Sequence, residues 1–213
     1  MSEVLENLKK TLLEYDKEGC AFWANKAIEE GIGPIKAFDV LAEAMKEVGN
    51  GYGRGELWLP DLIGAATTFA AARPILEEKI KEGAKKRQSL GTIVIGTVNG
   101  DIHDIGKNMV SVLAMAEGFN VIDLGVDVPA DKFINAVKAN EADILAMSSL
   151  LTTTMHVQKE IIQSLKKTDL GVKIAVGGGA ITQEFADMIG ADGYGPTAVA
   201  APKLFKELLG LRE

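Results

Sequence analysis

"TIVIGTVNGDIHDIGKN", residues 92–108, decides how the fold is read. Thr92 to Val98 form a β-branched apolar run, the composition of a strand buried on both faces. The run stops at Asn99 and Gly100, residue types that turn a chain. A helix-period segment, "NMVSVLAMAEG" (108–118), follows. Strand, loop and helix make one α/β unit, and the sequence downstream repeats it. "NVIDLGV" (120–126), "DILAMSSL" (143–150) and "KIAVGGG" (173–179) read as strands, and "DGYG" (192–195) as a short fifth. "PADKFINAVKAN" (129–140), "TTTMHVQKEIIQSLKK" (152–167), "TQEFADMIG" (182–190) and "PTAVAAPKLFKELLG" (196–210) read as the helices between and after them.

Strands alternating with helices predict a parallel sheet covered on both faces. Five strands predict a Rossmann-like sheet in the flavodoxin-like order. Ligands of such sheets sit beyond the carboxyl ends of the strands. Three distinctive segments fall at those ends: Asp101–Gly106, Ser148–Thr154 and Gly177–Gly179.

The first 88 residues follow a different grammar. Val4, Leu5, Leu8, Leu12 and Leu13 share one helical face. "CAFWANKAIEE" (20–30) predicts a second helix, and Ile35, Phe38, Leu41, Met45 and Val48 mark a third. "GNGYGRGE" (49–56), with four glycines in eight residues, is expected to be a loop. Pro60 suits the first turn of a fourth helix, which Pro74 is expected to kink. The prediction is therefore an α/β chain in two domains, a four-helix bundle over 1–88 and a sheet domain over 89–213.

The chain has 213 residues, 25% of them charged, with a formal net charge of −7. No basic cluster points to nucleic acid, since "AKKRQ" (84–88) is short. No apolar run approaches the ~18 residues of a membrane span. Cys20 has no second cysteine to pair with, which fits a reducing, cytoplasmic setting. "MSEVLENLKK" is acidic and amphipathic, unlike a signal peptide.

Asp101 and His103 stand two apart on the loop after the first strand, where their side chains can meet. An aspartate accepting the Nδ1 proton leaves Nε2 available as ligand or base. The same pair would also suit a surface histidine beside an incidental aspartate. A structural zinc needs about four protein ligands, and His103, His156 and Cys20 are far apart in sequence. A cofactor that brings four equatorial ligands to its own metal needs only one more. Heme and a corrin both meet that description. Ser148 and Ser149 lack a nucleophile elbow. "GGGAIT" (177–182) lacks the P-loop lysine and reads as a turn that lets backbone approach a ligand closely.

Asp101, His103 and Gly106, then Ser148 and Leu150, then Gly178 and Gly179, resemble the D-x-H-x-x-G, S-x-L and G-G signature of the cobalamin-binding domain. "NGDIHDIGKNMV" and "DLGVDVPADKF" are similar to the methyl-transferring branch, typified by cobalamin-dependent methionine synthase. "GELWLPDLIGAA" (55–66) resembles that branch's helical cap. The likeness covers nearly the whole chain and is closest to stand-alone corrinoid proteins of methyltransferase systems, such as those for methylamines.

The resemblance implies a corrinoid cofactor, cobalamin, whose dimethylbenzimidazole tail leaves the cobalt and is buried in the sheet domain. His103 would take the lower axial position on the metal, with Gly100, Ile102 and Asp104 in the same cofactor-binding loop. Asp101 would orient His103. In methionine synthase a serine six residues after the S-x-L serine completes this relay, and Thr154 holds that position here. Ser148 and Thr152 would contact the tail, Gly178 and Gly179 would leave it room, and Tyr194 or Gly195 would line its far end. Trp58 and Leu59 lie where the family places lid residues, which keep water and oxidants from the metal. The implied function is a methyl carrier rather than a catalyst in its own right. Co(I) accepts a methyl group from a substrate-specific methyltransferase, and the methylcobalamin formed gives it to a second methyltransferase. A reductive activase belongs to such systems, and no nucleic acid or membrane does. "EGAKKRQSLG" (82–91) would be the hinge that moves the cap. The alternatives are the cobalamin-binding subunit of an adenosylcobalamin-dependent mutase, a cobalamin-dependent sensor, and a flavodoxin-like domain binding something else.

Overall fold

The computed structural model describes residues 2–82, 88–168 and 170–211. The chain forms two compact units. One spans 1–88 together with Met115–Glu117, and the other spans Ser89–Ala114 together with Gly118–Glu213. Residues 83–87, the middle of the expected hinge, lie outside the described residues.

The first unit is built on α1 (Glu3–Leu13), α2 (Lys17–Glu29), α3 (Pro34–Gly53) and α4 (Leu59–Glu82). Their starts are coded locally. Glu3 and Glu6 sit in the first turn of α1, where carboxylates favour the positive helix end. The Asp16 side chain caps α2 by accepting the Gly19 amide at 2.9 Å, and Pro34 occupies the first turn of α3. Leu5, Leu8, Leu12, Leu41, Met45, Leu62, Phe69 and Leu76 are fully buried between the helices. Phe38 meets Phe69 edge-on at 5.7 Å between ring centroids.

One expectation about this unit needs revision. The glycine-rich loop expected from Gly49 begins only after Gly53, because α3 continues through Gly49, Asn50, Gly51 and Tyr52. Each helix-interior glycine costs about 1 kcal/mol relative to alanine. Burial outweighs that cost here: a Cβ on Gly51 would stand 2.9 Å from Leu57 Cδ1. Pro74 lies inside α4, and the helix runs on past it to Glu82 without a break.

In the second unit, β1 (Thr92–Thr97), β2 (Asn120–Asp123), β3 (Ile144–Ser148), β4 (Lys173–Gly177) and β5 (Gly193–Gly195) form one parallel sheet in the order β2-β1-β3-β4-β5. Between and after them run α5 (Ile105–Glu117), α6 (Ala130–Ala139), α7 (Met155–Leu165), α8 (Gln183–Ile189) and α9 (Ala201–Leu208). This is the flavodoxin-like order expected from the alternating segments. Two helices begin later than their sequence suggested: Thr152–Thr154 turn ahead of α7, and residues 196–200 turn ahead of α9.

One face of the sheet packs the large residues. Val94, Val98, Phe133, Leu145, Met147, Ile161, Ile162 and Val176 form a continuous core there. Gly96 allows it: a Cβ at that position would stand 2.8 Å from the Phe133 ring. The other face is different. Ala146, Ala175 and Gly193 lie side by side across β3, β4 and β5, and Ser148, Gly177 and Gly195 form the next row. Two rows of small residues leave a hollow where the opposite face is filled. No helix among the described residues is long and apolar enough to cross a membrane.

Replacing Gly96 with alanine is expected to cost about 1–3 kcal/mol, the range for overpacking a tight core. In a Phe133→Leu background the cost should shrink, and a double-mutant cycle in urea unfolding measures that coupling.

Candidate functional site

The loop after β1 carries the site. Asp101 Oδ1 lies 2.7 Å from His103 Nδ1 and accepts the His103 backbone N–H at 3.1 Å. Oδ2 accepts the N–H groups of Leu150 at 2.8 Å and Leu151 at 3.3 Å, and the Thr154 hydroxyl at 3.1 Å. The Asp101 side chain is fully buried, while that of His103 is 48% exposed. Burial alone would push the Asp101 carboxyl up. Hydrogen bonds from the His103 side chain and backbone, from Leu150 and from Thr154 more than offset this and bring it down to about 2.

An ionised carboxylate only accepts hydrogen bonds. The proton between the pair therefore sits on His103 Nδ1, and in the neutral ring Nε2 keeps its lone pair. Nε2 has no hydrogen-bond partner among the described residues, and half of the side chain faces out.

A second hydroxyl extends the chain. Ser149 Oγ lies 2.8 Å from Thr154 Oγ1. The Leu151 carbonyl is within 3.1 Å of Thr154 Oγ1 and 3.3 Å of Ser149 Oγ. That carbonyl also accepts the N–H groups of Thr154 and Met155. The charged Asp101 carboxylate is the stronger acceptor for the Thr154 hydroxyl proton, and where the two hydroxyls bond to each other Ser149 is then the donor.

The neighbouring loop after β2 braces this one. Asp127 Oδ1 accepts the Asn99 side-chain amide and the Gly100 N–H, each at 2.7 Å, and the Asp127 N–H donates to the Asp101 carbonyl at 3.0 Å. Asp127 holds a φ of 54°, unusual for a residue with a side chain. Lys107, almost wholly buried, donates to Asn108 Oδ1 and Asp123 Oδ1, each at 2.7 Å, and also to Asp123 Oδ2. Its ammonium charge is thus paired.

The small-residue face of the sheet opens into a cavity of about 290 Å³. Ser148, Gly178, Gly179 and Gly195 line it, as do Gly106 and Lys107 from the start of α5. Gly178 has a φ of +116°, and a Cβ there would fall 2.0 Å from the Ser149 carbonyl oxygen, so no other residue fits. A Cβ on Gly179 would meet Leu150 Cδ1 at 2.6 Å.

The structure gathers most of the expected site residues. Gly100 turns the loop at φ +82°, and Ile102 is 73% exposed beside His103 in the chain. Asp104 Oδ2 accepts the Asn108 side-chain amide. Tyr194 lines the cavity, although its side chain also packs against the large-residue core. Thr152 is exposed and neither lines the cavity nor bonds to Asp101. Trp58 and Leu59 are exposed at the start of α4 in the other unit.

Ser149, Asp127 and Lys107 carry site contacts to which the sequence alone assigns no role. Neighbours in a strand point to opposite faces, so the pair Ser148–Ser149 held the signal for a hydroxyl on each side. No set of three or more His, Cys, Asp or Glu side chains among the described residues could hold a metal ion.

A single outward imidazole beside a glycine-floored cavity suits a group that brings its own equatorial ligands and a bulky appendage. Residues 91–203 match the B12 binding domain, and residues 4–77 match a second model that is also described as a B12 binding domain. The chain belongs to the B12-binding corrinoid protein family. It is 40% identical over 211 residues to a corrinoid protein of Desulfitobacterium hafniense, covering 97% of this chain and 98% of that one. It is 37% identical over 212 residues to the trimethylamine corrinoid protein of Methanosarcina barkeri, covering 98% of each. Among solved structures it resembles the methanol:cobalamin methyltransferase complex of Methanosarcina barkeri, at 33% identity and a TM-score of 0.84, covering 98% of this chain and 80% of that one. These relatives fit a B12-binding fold better than the flavodoxin-like alternative with an unrelated ligand.

The depressed Asp101 pKa makes a prediction for the apoprotein. Its contribution to stability is present above the ordinary carboxylate pKa of ~4 and is lost as pH falls toward about 2. The stability gap between wild type and Asp101→Asn should narrow by about 1 kcal/mol between pH 5 and pH 3. Urea unfolding at the two pH values checks this.

Proposed function

We propose that this corrinoid protein carries methyl groups between methyltransferases. When bound, the corrinoid supplies a cobalt that can accept a methyl group and give it up again. The protein supplies the rest. His103 Nε2 would hold the metal. Asp101, held by Thr154 and by the Leu150 and Leu151 amides, keeps the Nδ1 proton in place, so the lone pair stays on Nε2. The nucleotide tail would enter the cavity between α5 and α9 over the floor of small residues. Ile102 and Leu150, both exposed, offer apolar contact around the histidine. Trp58 and Leu59 would serve as the lid residues of the helical unit, shielding the metal from water.

The observation that carries this reading is the Asp101–His103 contact at 2.7 Å with Nε2 left free. Its partner would be a substrate-specific methyltransferase; the methanol:cobalamin methyltransferase complex is a solved relative of like architecture. The methyl donor we propose is a methylated amine, on the likeness to a trimethylamine corrinoid protein. A second methyltransferase would remove the methyl group, and a reductive activase would restore cobalt that has been oxidised. The isomerase and sensor readings draw no support from these relatives.

Replacing His103 with glycine in the cobalamin-loaded protein tests this. The visible spectrum should shift to that of a cobalt lacking a lower nitrogen ligand. Methyl transfer from trimethylamine with its methyltransferase should fall at least about 10-fold, the lower end for losing a group that orients or ligates a metal. An unchanged spectrum and rate would refute the assignment.

A further inference from the structure

Trp58 stands at the head of α4 with its side chain 75% exposed, yet its backbone is held on both sides. Just ahead of it, the Leu57 N–H donates to the Gly51 carbonyl at 3.3 Å. Just after it, Asp61 Oδ2 accepts the Trp58 N–H at 2.7 Å. The third residue of the helix thus reaches back to the residue before the first, the acidic half of a capping box.

The clamp continues into the turn between α1 and α2. There α1 ends in a Schellman motif. The Asp16 N–H donates to the Thr11 carbonyl at 2.8 Å, and the Tyr15 N–H to the Leu12 carbonyl at 3.1 Å. Such a motif needs one residue in the left-handed region, ordinarily a glycine. Here Tyr15 takes that place, at a φ of 61°. A bulky residue so placed costs stability, and such strain is kept where the side chain has work elsewhere. The Tyr15 ring lies against Gly64 of α4, where a Cβ would stand 2.9 Å from Tyr15 Cγ. Its hydroxyl donates to Asp61 Oδ1 at 3.2 Å. Glycine inside a helix is itself unfavourable. A tyrosine where glycine belongs and a glycine where it does not therefore meet at one contact, beside Asp61.

We infer that Tyr15 and Asp61 are positioning residues for Trp58. Asp61 gives one oxygen to the Trp58 backbone and the other to Tyr15. The strained corner fixes the carboxylate, and the carboxylate fixes the entry of α4. The inference deepens the reading above, in which Trp58 shields the metal, and rests on it. A shield works only when it is held in one place. Both residues act through Trp58 and not on the metal.

Two readouts test this. In the apoprotein, hydrogen exchange of the Trp58 amide, followed by NMR, should quicken about 2- to 10-fold in Tyr15→Phe, which keeps the ring and loses one hydrogen bond. It should quicken further in Asp61→Ala and stay near wild type in Asp61→Asn, which keeps an acceptor. In the cobalamin-loaded protein reduced to Co(I), oxidation by air, followed in the visible spectrum, should be faster in Trp58→Ala. Tyr15→Phe and Asp61→Ala should also be faster, by about 2- to 10-fold. Leu76→Val, which weakens the bundle from the buried far end of α4, is the control for stability and should change neither readout. Faster oxidation in Trp58→Ala with no change in Tyr15→Phe or Asp61→Ala would overturn the positioning role and leave the shield standing. Equal effects of Leu76→Val and Tyr15→Phe would also overturn it, as loss of stability alone. No change in Trp58→Ala would remove the shield reading and this inference with it.

Discussion

A buried carboxylate holds this site together. Asp101 is fully shielded from water and is reached by donors from the loop after β1 and the loop after β3. Desolvation of such a group is costly and is offset only when its lone pairs are filled. Here five donors converge on two oxygens. The same bonds that keep Asp101 ionised fix the two loops against each other and set the proton on His103 Nδ1. Fold and chemistry therefore share one set of hydrogen bonds. Any change that removes a donor acts on the tautomer of the imidazole as well as on stability.

The surroundings keep that carboxylate in place. Asp127 adopts a strained left-handed backbone and in doing so caps the Asn99–Gly100 turn. The Lys107–Asp123 pair ties the start of α5 to the end of β2. On the opposite side of the loop after β3, Gly178 lets the loop after β4 approach the Ser149 backbone. These contacts are local and rigid, as a site that must hold one nitrogen at one position requires. Ser149 and Thr154 add a hydroxyl chain that ends at Asp101 and gives Oδ2 a donor that backbone geometry alone would not supply.

Much of this was legible in the sequence because it rests on short-range rules. Strand and helix periods alternate cleanly after residue 91, and the sheet order follows from the connection rules. The Asp101–His103 contact follows from two residues on a loop, and the glycine at 178 from the backbone approach that "GGG" allows. What was hidden depends on long-range packing. The extension of α3 through Gly49 and Gly51 depends on Leu57 closing over them. The role of Ser149 depends on which face of β3's end it takes. The ties made by Asp127 and Lys107 depend on residues 28 and 16 apart in sequence meeting in space. The hollow under α9 needed three strands in register before its rows of small residues lined up.

The central claim concerns one nitrogen on one metal, and the chain has only two histidines. Electron paramagnetic resonance of the cobalt(II) cobalamin-loaded protein, grown with ordinary or 15N-labelled histidine, reads that nitrogen directly. A single axial nitrogen from His103 should give a three-line splitting that becomes two-line on labelling. A three-line pattern that survives labelling would place the benzimidazole nitrogen on the metal instead, and the account would be wrong.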